Sequence, residues 1–152
     1  MVHNQSKVAC VLIPFQEFQL LLPNTAIAEI LPPQILDPSN DLNPHVSGEF
    51  VWHTRRIKVC NLEAYASNSN RSNLIILRIP SISGNADYLG LLSRNIPHFV
   101  QASSDSLEQD LQPLATHQIA LSYVSINGQS AIIPDLSLLL DFCTDQSIKT
   151  SV

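Results

Sequence analysis

Short apolar runs of strand length, several of them ended by proline, organise this chain. Residues 8–13 and 74–79 are such runs, and proline follows each of them directly. Proline cannot donate to a sheet ladder, so it is typical of a strand end. Further strands are predicted over residues 19–22, 88–92, 96–100, 119–126 and 129–133. The pattern therefore predicts a mostly β protein.

Residues 46–63 are predicted to form a β-hairpin. In its first strand Phe50 and Trp52 share one face, because side chains alternate along a strand. The turn is predicted near Thr54 and Arg55. In the second strand one face carries Ile57 and Val59, and the other carries Arg56, Lys58 and Cys60. The only tryptophan of the chain thus lies beside a basic turn.

Two helices are predicted. A short one runs to residue 31, capped by Asn24 or Thr25, and Ile27 and Ile30 follow its helical spacing. A second begins at Pro134-Asp135, with Asp135 as its N-cap. Its apolar face is predicted to carry Leu136, Leu139, Leu140 and Cys143.

Two glycine positions carry specific backbone predictions. Asn127-Gly128 predicts a two-residue hairpin turn, because a type I′ turn needs a positive φ at both central residues. Gly90 lies inside a predicted strand, which indicates a bulge or a close backbone approach.

The order of elements repeats along the chain. The step Ile13-Pro14 corresponds to Ile79-Pro80, 66 residues later, and Leu62 corresponds to Leu136, 74 residues later. The repeat predicts two related β-lobes of about five strands each. Such small sheets favour closure into barrels, which leaves no sheet edge open.

Composition excludes several classes of protein. The chain has 152 residues, 45% apolar and 14% charged, with a net charge of −5. A chain of this size buries enough surface to fold without a disulfide or a metal. Eight Lys and Arg residues are too few for a protein that binds nucleic acid through many phosphates, so no nucleic-acid partner is expected.

The cysteines and the N-terminus suggest where the protein resides. Cys10, Cys60 and Cys143 are far apart in the chain, which suits a reducing compartment and small buried apolar residues. No apolar run is long enough for a signal segment or a membrane span. A cytoplasmic location without direct membrane insertion is therefore expected.

No residue pattern indicates an enzyme. The five histidines have no metal-site spacing, and four glycines cannot build the usual phosphate loop. Cys60 and His53 lie on adjoining predicted strands, but Cys60 fits a small packed residue better than a nucleophile. No catalytic residue, metal or cofactor is expected. Glu29 is expected to be solvated or to serve as an interface charge.

Trp52 has two interpretations that the sequence leaves open. A buried tryptophan would fill a core, since an aromatic side chain removes about 150–250 Å² from water. A partly exposed one would anchor a contact, since Trp and Arg are enriched at binding hot spots.

The chain resembles the CheW-like domain family over residues 8–142. The resemblance rests on residues 21–31 (Leu-Leu-Pro-Asn-Thr-Ala-Ile-Ala-Glu-Ile-Leu), Gly48 before the central hairpin, Asn61-Leu62 after it, and Gly90. Residues 132–136, Ile-Ile-Pro-Asp-Leu, are similar to the closing strand-to-helix step. The positions of Trp52 and Glu63, and residues 95–98, resemble the accessory branch of type IV pilus (twitching motility) systems.

The resemblance implies one domain over residues 1–152, with two intertwined five-stranded SH3-like barrels and short helices. Lobe 1 would span about 15–66 with part of the C-terminal region. Lobe 2 would span about 73–142 with part of the N-terminal strand. It also implies a non-enzymatic cytoplasmic adaptor that docks the regulatory domain of a CheA-type histidine kinase, with a methyl-accepting chemoreceptor as a further partner.

The chain departs from the family pattern at the contact hairpin. His53-Thr54 replaces the usual Arg-Gly, Lys58 replaces a proline and Asn61 replaces an aspartate. A histidine is a weaker source of positive charge than the arginine it replaces. Another β-barrel peptide-binding module, or a decoy that competes with the adaptor, remains an alternative. The predicted contact residues are Trp52, His53 and Arg55, with Val46 and Gly48 shaping their surface, and a second set of Ile27, Glu29 and Ile30.

Overall fold

The computed structural model describes residues 7–63, 71–81, 83–113 and 116–144. These residues form eleven strands, one 3₁₀ helix and one α-helix. The strands are β1 (Val8–Pro14), β2 (Gln19–Pro23), β3 (Ile27–Leu31), β4 (Val46–Trp52), β5 (Arg55–Cys60), β6 (Asn73–Ile79), β7 (Asp87–Ser93), β8 (His98–Ala102), β9 (Leu107–Gln109), β10 (Ala120–Ile126) and β11 (Gln129–Pro134). The 3₁₀ helix is Asn24–Ala26 and α1 is Leu136–Thr144.

The strands form two sheets, and the chain passes from the first sheet into the second and then returns to the first. Strands β3 to β7 make a five-stranded sheet in the order β3-β6-β7-β5-β4. The N-terminal strands β1 and β2 join the C-terminal half in a six-stranded sheet, in the order β8-β1-β2-β11-β10-β9. The prediction of a mostly β, two-lobe fold is confirmed, with six rather than five strands in one sheet.

Three apolar clusters fill the molecule, one within each lobe and one shared between them. In β6, Leu74 and Ile76 point into the core of the five-stranded lobe, while Ile75 and Leu77 point into the shared core. In β1 the same alternation sends Leu12 to one core and Val11 to the other. Strands buried on both faces read as continuous apolar runs, which explains the sequence pattern.

Two elements differ from the prediction. Ile27–Leu31 is strand β3 and not the end of a helix, because it pairs antiparallel with β6. The pairing of β3 with β6 has a register shift between Ile27 and Glu29. Because of this shift, Ile27 and Ile30 both pack against the shared core although they are three residues apart. Leu107–Gln109 forms the short strand β9, which is not among the predicted strands.

Both hairpin turns place non-glycine residues at positive φ. Asn127 and Gly128 have φ of 51° and 81°, which confirms that predicted turn. The other turn falls at His53-Thr54, one residue earlier than predicted, with φ of 46° and 66°. A β-branched threonine in the left-handed region is strained, since its side chain crowds the backbone there.

Thr54→Gly is therefore expected to stabilise the protein by about 1 kcal/mol, because glycine adopts positive φ at no steric cost. Urea unfolding followed by circular dichroism measures the change. Gly128→Ala tests the same geometry in the other hairpin and should cost a similar amount. A destabilised Thr54→Gly protein would show that the threonine side chain contributes more than its strain costs.

Two local predictions about backbone and capping are confirmed. A Cβ added at Gly90 would lie 2.9 Å from Val59 Cγ2, so glycine lets β7 approach β5 closely. At the start of α1 the Asp135 carboxylate accepts hydrogen bonds from the backbone N–H groups of Ser137 (3.0 Å) and Leu138 (3.2 Å). This is the N-cap that the sequence indicated.

The prediction for the cysteines is wrong for two of the three. Cys60 and Cys143 are fully buried, as expected of apolar residues, but they form a disulfide that links β5 to α1. The two residues are 83 positions apart in sequence and 5.9 Å apart at Cα. Their wide spacing hid the pair, because only the tertiary fold brings the end of β5 to the helix. Cys10 remains a free thiol, and burial raises its pKa.

Candidate protein-binding site

One end of the five-stranded sheet gathers one notable side chain from each strand. These are Glu29 (β3), Arg78 (β6), Tyr88 (β7), Arg55 (β5) and Trp52 (β4), and we call this group the aromatic–arginine cap. The register explains the grouping: Arg78 pairs with Tyr88 across β6 and β7, and Trp52 pairs with Arg55 across the hairpin. Because β5 and β7 are parallel, their first residues lie at the same end.

Trp52 lies at the centre of the cap and is half-buried. Its ring packs against the core of the five-stranded lobe together with Phe50. Its indole N–H donates a hydrogen bond to Glu29 Oε1 at 2.8 Å. Since β3 and β4 are opposite edges of the sheet, this bond shows that the sheet curls enough for side chains of its two edge strands to make contact. Trp52 thus packs against the core and also reaches the surface, and its role as a contact anchor stays a prediction.

Tyr88 lies between two guanidinium groups. Arg55 Cζ is 4.9 Å from the centre of its ring, and Arg78 Cζ is 5.9 Å from it. Both distances fall within the range of cation–π attraction. The Trp52 ring is 5.0 Å from the Tyr88 ring. Tyr88 thus contacts both arginine side chains while both arginines remain exposed.

His53 borders the cap at the tip of the hairpin. Its side chain is 70% exposed, and its Nε2 lies 3.8 Å from Glu29 Oε1. Its ring meets Trp52 edge-on at 4.5 Å. Glu29 therefore contacts Trp52 and His53 while its side chain remains 42% exposed.

The arginines of the cap differ from the neighbouring basic residues. Arg56 binds Glu49 at 2.8 Å, a contact that raises the pKa of Arg56. Lys58 binds Asp41 at 2.5 Å. Within the described part of the chain, neither Arg55 nor Arg78 forms an ion pair. The cap therefore presents two uncompensated positive charges on a protein of net charge −5.

The other predicted contact residues lie elsewhere. Val46 is half-buried at the far end of β4, paired with Cys60. Gly48 is buried, and a Cβ there would lie 2.6 Å from the carbonyl oxygen of Asp37, whose backbone pairs with Glu49. Gly48 thus allows the connection before β4 to cover that strand's edge.

Ile27 and Ile30 pack against the shared core. The structure thus joins Glu29 of the second predicted set to Trp52, His53 and Arg55 of the first. It does not bring Ile27 and Ile30 to that surface.

No helix among the described residues is both long and apolar enough to span a membrane. In the same residues, no group of three or more His, Cys, Asp or Glu side chains is placed to hold a metal ion.

The comparisons with known proteins identify the fold. No protein-family model matches the chain, and no curated protein matches it. Among solved structures, the scaffolding protein TtCheW from Thermoanaerobacter tengcongensis aligns over 88% of this chain and 88% of its own, with a TM-score of 0.67 and 17% sequence identity. The chain has a CheW-like fold. This confirms the two-lobe architecture that the family resemblance implied.

Two members of the cap, Tyr88 and Arg78, were not among the contact residues predicted from the sequence. Arg78 did carry a signal, because it is the only charged residue in an apolar strand of seven. An exposed charge in an otherwise buried strand marks the point where the strand emerges at the surface. Tyr88 carried none, since a half-buried tyrosine at a strand start is common in β proteins.

Proposed function

We propose that the protein is a non-enzymatic adaptor of a bacterial chemosensory pathway that docks the regulatory domain of a CheA-type histidine kinase. The proposal is supported by a fold like that of a scaffolding protein and by the aromatic–arginine cap. A half-buried tryptophan surrounded by arginine and tyrosine is the composition of a binding hot spot.

Further parts of the proposal rest on the family resemblance. A methyl-accepting chemoreceptor is the second partner, and the pathway controls type IV pilus twitching motility. The location is cytoplasmic. The Cys60–Cys143 bond is compatible with that location, because both residues are fully buried and reductants reach them only when the core opens.

The cap is proposed as the docking surface, and Trp52→Ala tests it. Truncation should weaken binding of the purified kinase regulatory domain at least tenfold, because it removes the ring that packs against Tyr88, which holds both arginines. Biolayer interferometry measures the affinity. The substitution also removes a half-buried ring and should cost about 2 kcal/mol of stability, so binding is measured at a temperature where the variant is fully folded.

Phe99→Ala is the matched control. Phe99 is 67% exposed on β8, at the edge of the other sheet. It should leave both affinity and stability unchanged. Full affinity in folded Trp52→Ala, or loss of binding in Phe99→Ala alone, would place the kinase contact outside the cap.

Reconstitution with kinase and receptor separates adaptor from decoy. An adaptor raises the rate of kinase autophosphorylation, and a decoy lowers it by occupying the same contacts without coupling them. Absence of any kinase binding would remove the proposed function.

A further inference from the structure

We propose that the aromatic–arginine cap binds an acidic segment of a protein partner, with Arg55 and Arg78 each engaging a carboxylate. This inference rests on the proposed function in placing a partner at the cap, and it specifies the chemistry of that partner. Its support is the charge balance of the cap and the way the two guanidinium groups are held.

The first support is that the two arginines are free to bind. Arg56 and Lys58, on the same strand as Arg55, are occupied by Glu49 and Asp41. Arg55 and Arg78 have no such partner among the described residues, and both are exposed. A guanidinium presents a planar fork of donors that matches a carboxylate, so an unpaired one on a surface favours an acidic ligand.

The second support is that the arginines are pre-organised. Tyr88 holds one guanidinium at 4.9 Å and the other at 5.9 Å from its ring centre. A side chain already held on a ring loses less conformational entropy on binding than a free one. The Trp52 ring packs 5.0 Å from the Tyr88 ring, and the hydrogen bond from Trp52 to Glu29 fixes the indole ring.

The third support is that the cap contains one carboxylate, and that carboxylate is occupied. Glu29 accepts the indole N–H of Trp52, so it is held away from competing for the arginines. Two arginines are too few for a phosphate backbone, which needs several cationic contacts, whereas a short acidic segment can be held by two. An acidic peptide therefore fits the cap better than a nucleic acid does.

Fluorescence of Trp52, the only tryptophan of the chain, reports directly on the cap. The probe is a hexaglutamate peptide with blocked ends, and hexaglutamine is its neutral control. Hexaglutamate should shift the Trp52 emission in a saturable way, and added salt should weaken this binding, because exposed ion pairs are screened. Hexaglutamine should cause no saturable shift.

Two double variants locate the binding. Arg55→Gln with Arg78→Gln should weaken hexaglutamate binding about tenfold or more. The control variant, Arg71→Gln with Arg94→Gln, also removes two positive charges. These two arginines lie at the opposite end of the same sheet, beyond the Asn73–Ser93 pair, so the affinity should be nearly unchanged. Near-ultraviolet circular dichroism checks that Trp52 keeps its environment in each variant.

Three results would overturn the inference: equal weakening by both double variants, binding of hexaglutamine as tight as that of hexaglutamate, or tighter binding of an oligothymidylate than of hexaglutamate. These results are independent of the kinase assay. Kinase binding that depends on Trp52 but not on Arg55 and Arg78 would refute only the inference. Hexaglutamate binding at the cap without kinase binding would refute only the proposed function.

Discussion

Removing the Cys60–Cys143 bond should lower the free energy of unfolding by about 4 kcal/mol. The bond closes a loop between residues 83 positions apart, and cross-linking a loop of that length removes a large conformational entropy from the unfolded chain. It also fastens α1, whose residues Leu139 and Phe142 fill the shared core between the two sheets. Urea unfolding of Cys143→Ala, compared with the oxidised wild-type protein, measures the loss.

Cys10→Ala is the control for this comparison. It removes a sulfur from a buried position that carries no disulfide, so it should cost only about 1 kcal/mol. Dithiothreitol should destabilise the wild-type protein and Cys10→Ala, and leave Cys143→Ala unchanged. If Cys143→Ala costs no more than Cys10→Ala, the two sulfur atoms are not bonded in the protein.

Asp41→Ala should cost about 3 kcal/mol, the second-largest effect that we expect. The Asp41 side chain is 2% exposed and its Oδ2 lies 2.5 Å from Lys58 Nζ. Its other carboxylate oxygen accepts the backbone N–H of Asn43 at 2.9 Å. Truncation leaves a partly buried ammonium group without its counter-charge, which costs far more than the pair contributes.

Asp37, which lies in the same segment before β4, supplies a matched control for Asp41. Asp37 pairs with Arg56 at 3.5 Å, but its side chain is 55% exposed. Asp37→Ala should therefore cost less than about 1 kcal/mol, since solvent screens the pair. Thermal unfolding of both variants in the same buffer gives the comparison.

A double variant tests the cause of the Asp41 effect. Asp41→Ala with Lys58→Met should recover part of the lost stability, because it removes the unpaired charge as well. No recovery would assign the cost to the backbone hydrogen bond of Asn43 instead. Because Lys58 lies away from the turn end of β5, neither change should alter hexaglutamate binding at the cap once the protein is folded.

The structure also gives Gly48 a role in the fold. The Asp37 and Glu49 backbones exchange two hydrogen bonds of 2.8 Å directly beside it. This pairing covers the outer edge of β4, which would otherwise present unpaired donors and acceptors. The sequence marked Gly48 as special, but only the crossing of the connection over the strand gives the reason.

Local patterns sufficed for the elements whose cause is local. The alternation in residues 50–52, the Asn127-Gly128 turn and the Asp135 cap each depend on a few neighbouring residues, and each is confirmed. The segment after Ala26 was predicted wrongly, because its helical spacing competed with pairing to β6, a strand almost 50 residues later that local propensity does not sense.

By itself the sequence determined that this chain is mostly β, repeats its order of elements, and places tryptophan beside arginines at a hairpin turn. Tertiary structure alone decided that Glu29 on one edge strand receives the hydrogen bond of Trp52 on the other, and that Arg55 and Arg78 flank Tyr88. It also decided the Cys60–Cys143 pair. The physical reason is that periodicity fixes which face of a strand a residue occupies, whereas sheet order and curl fix which distant faces come together.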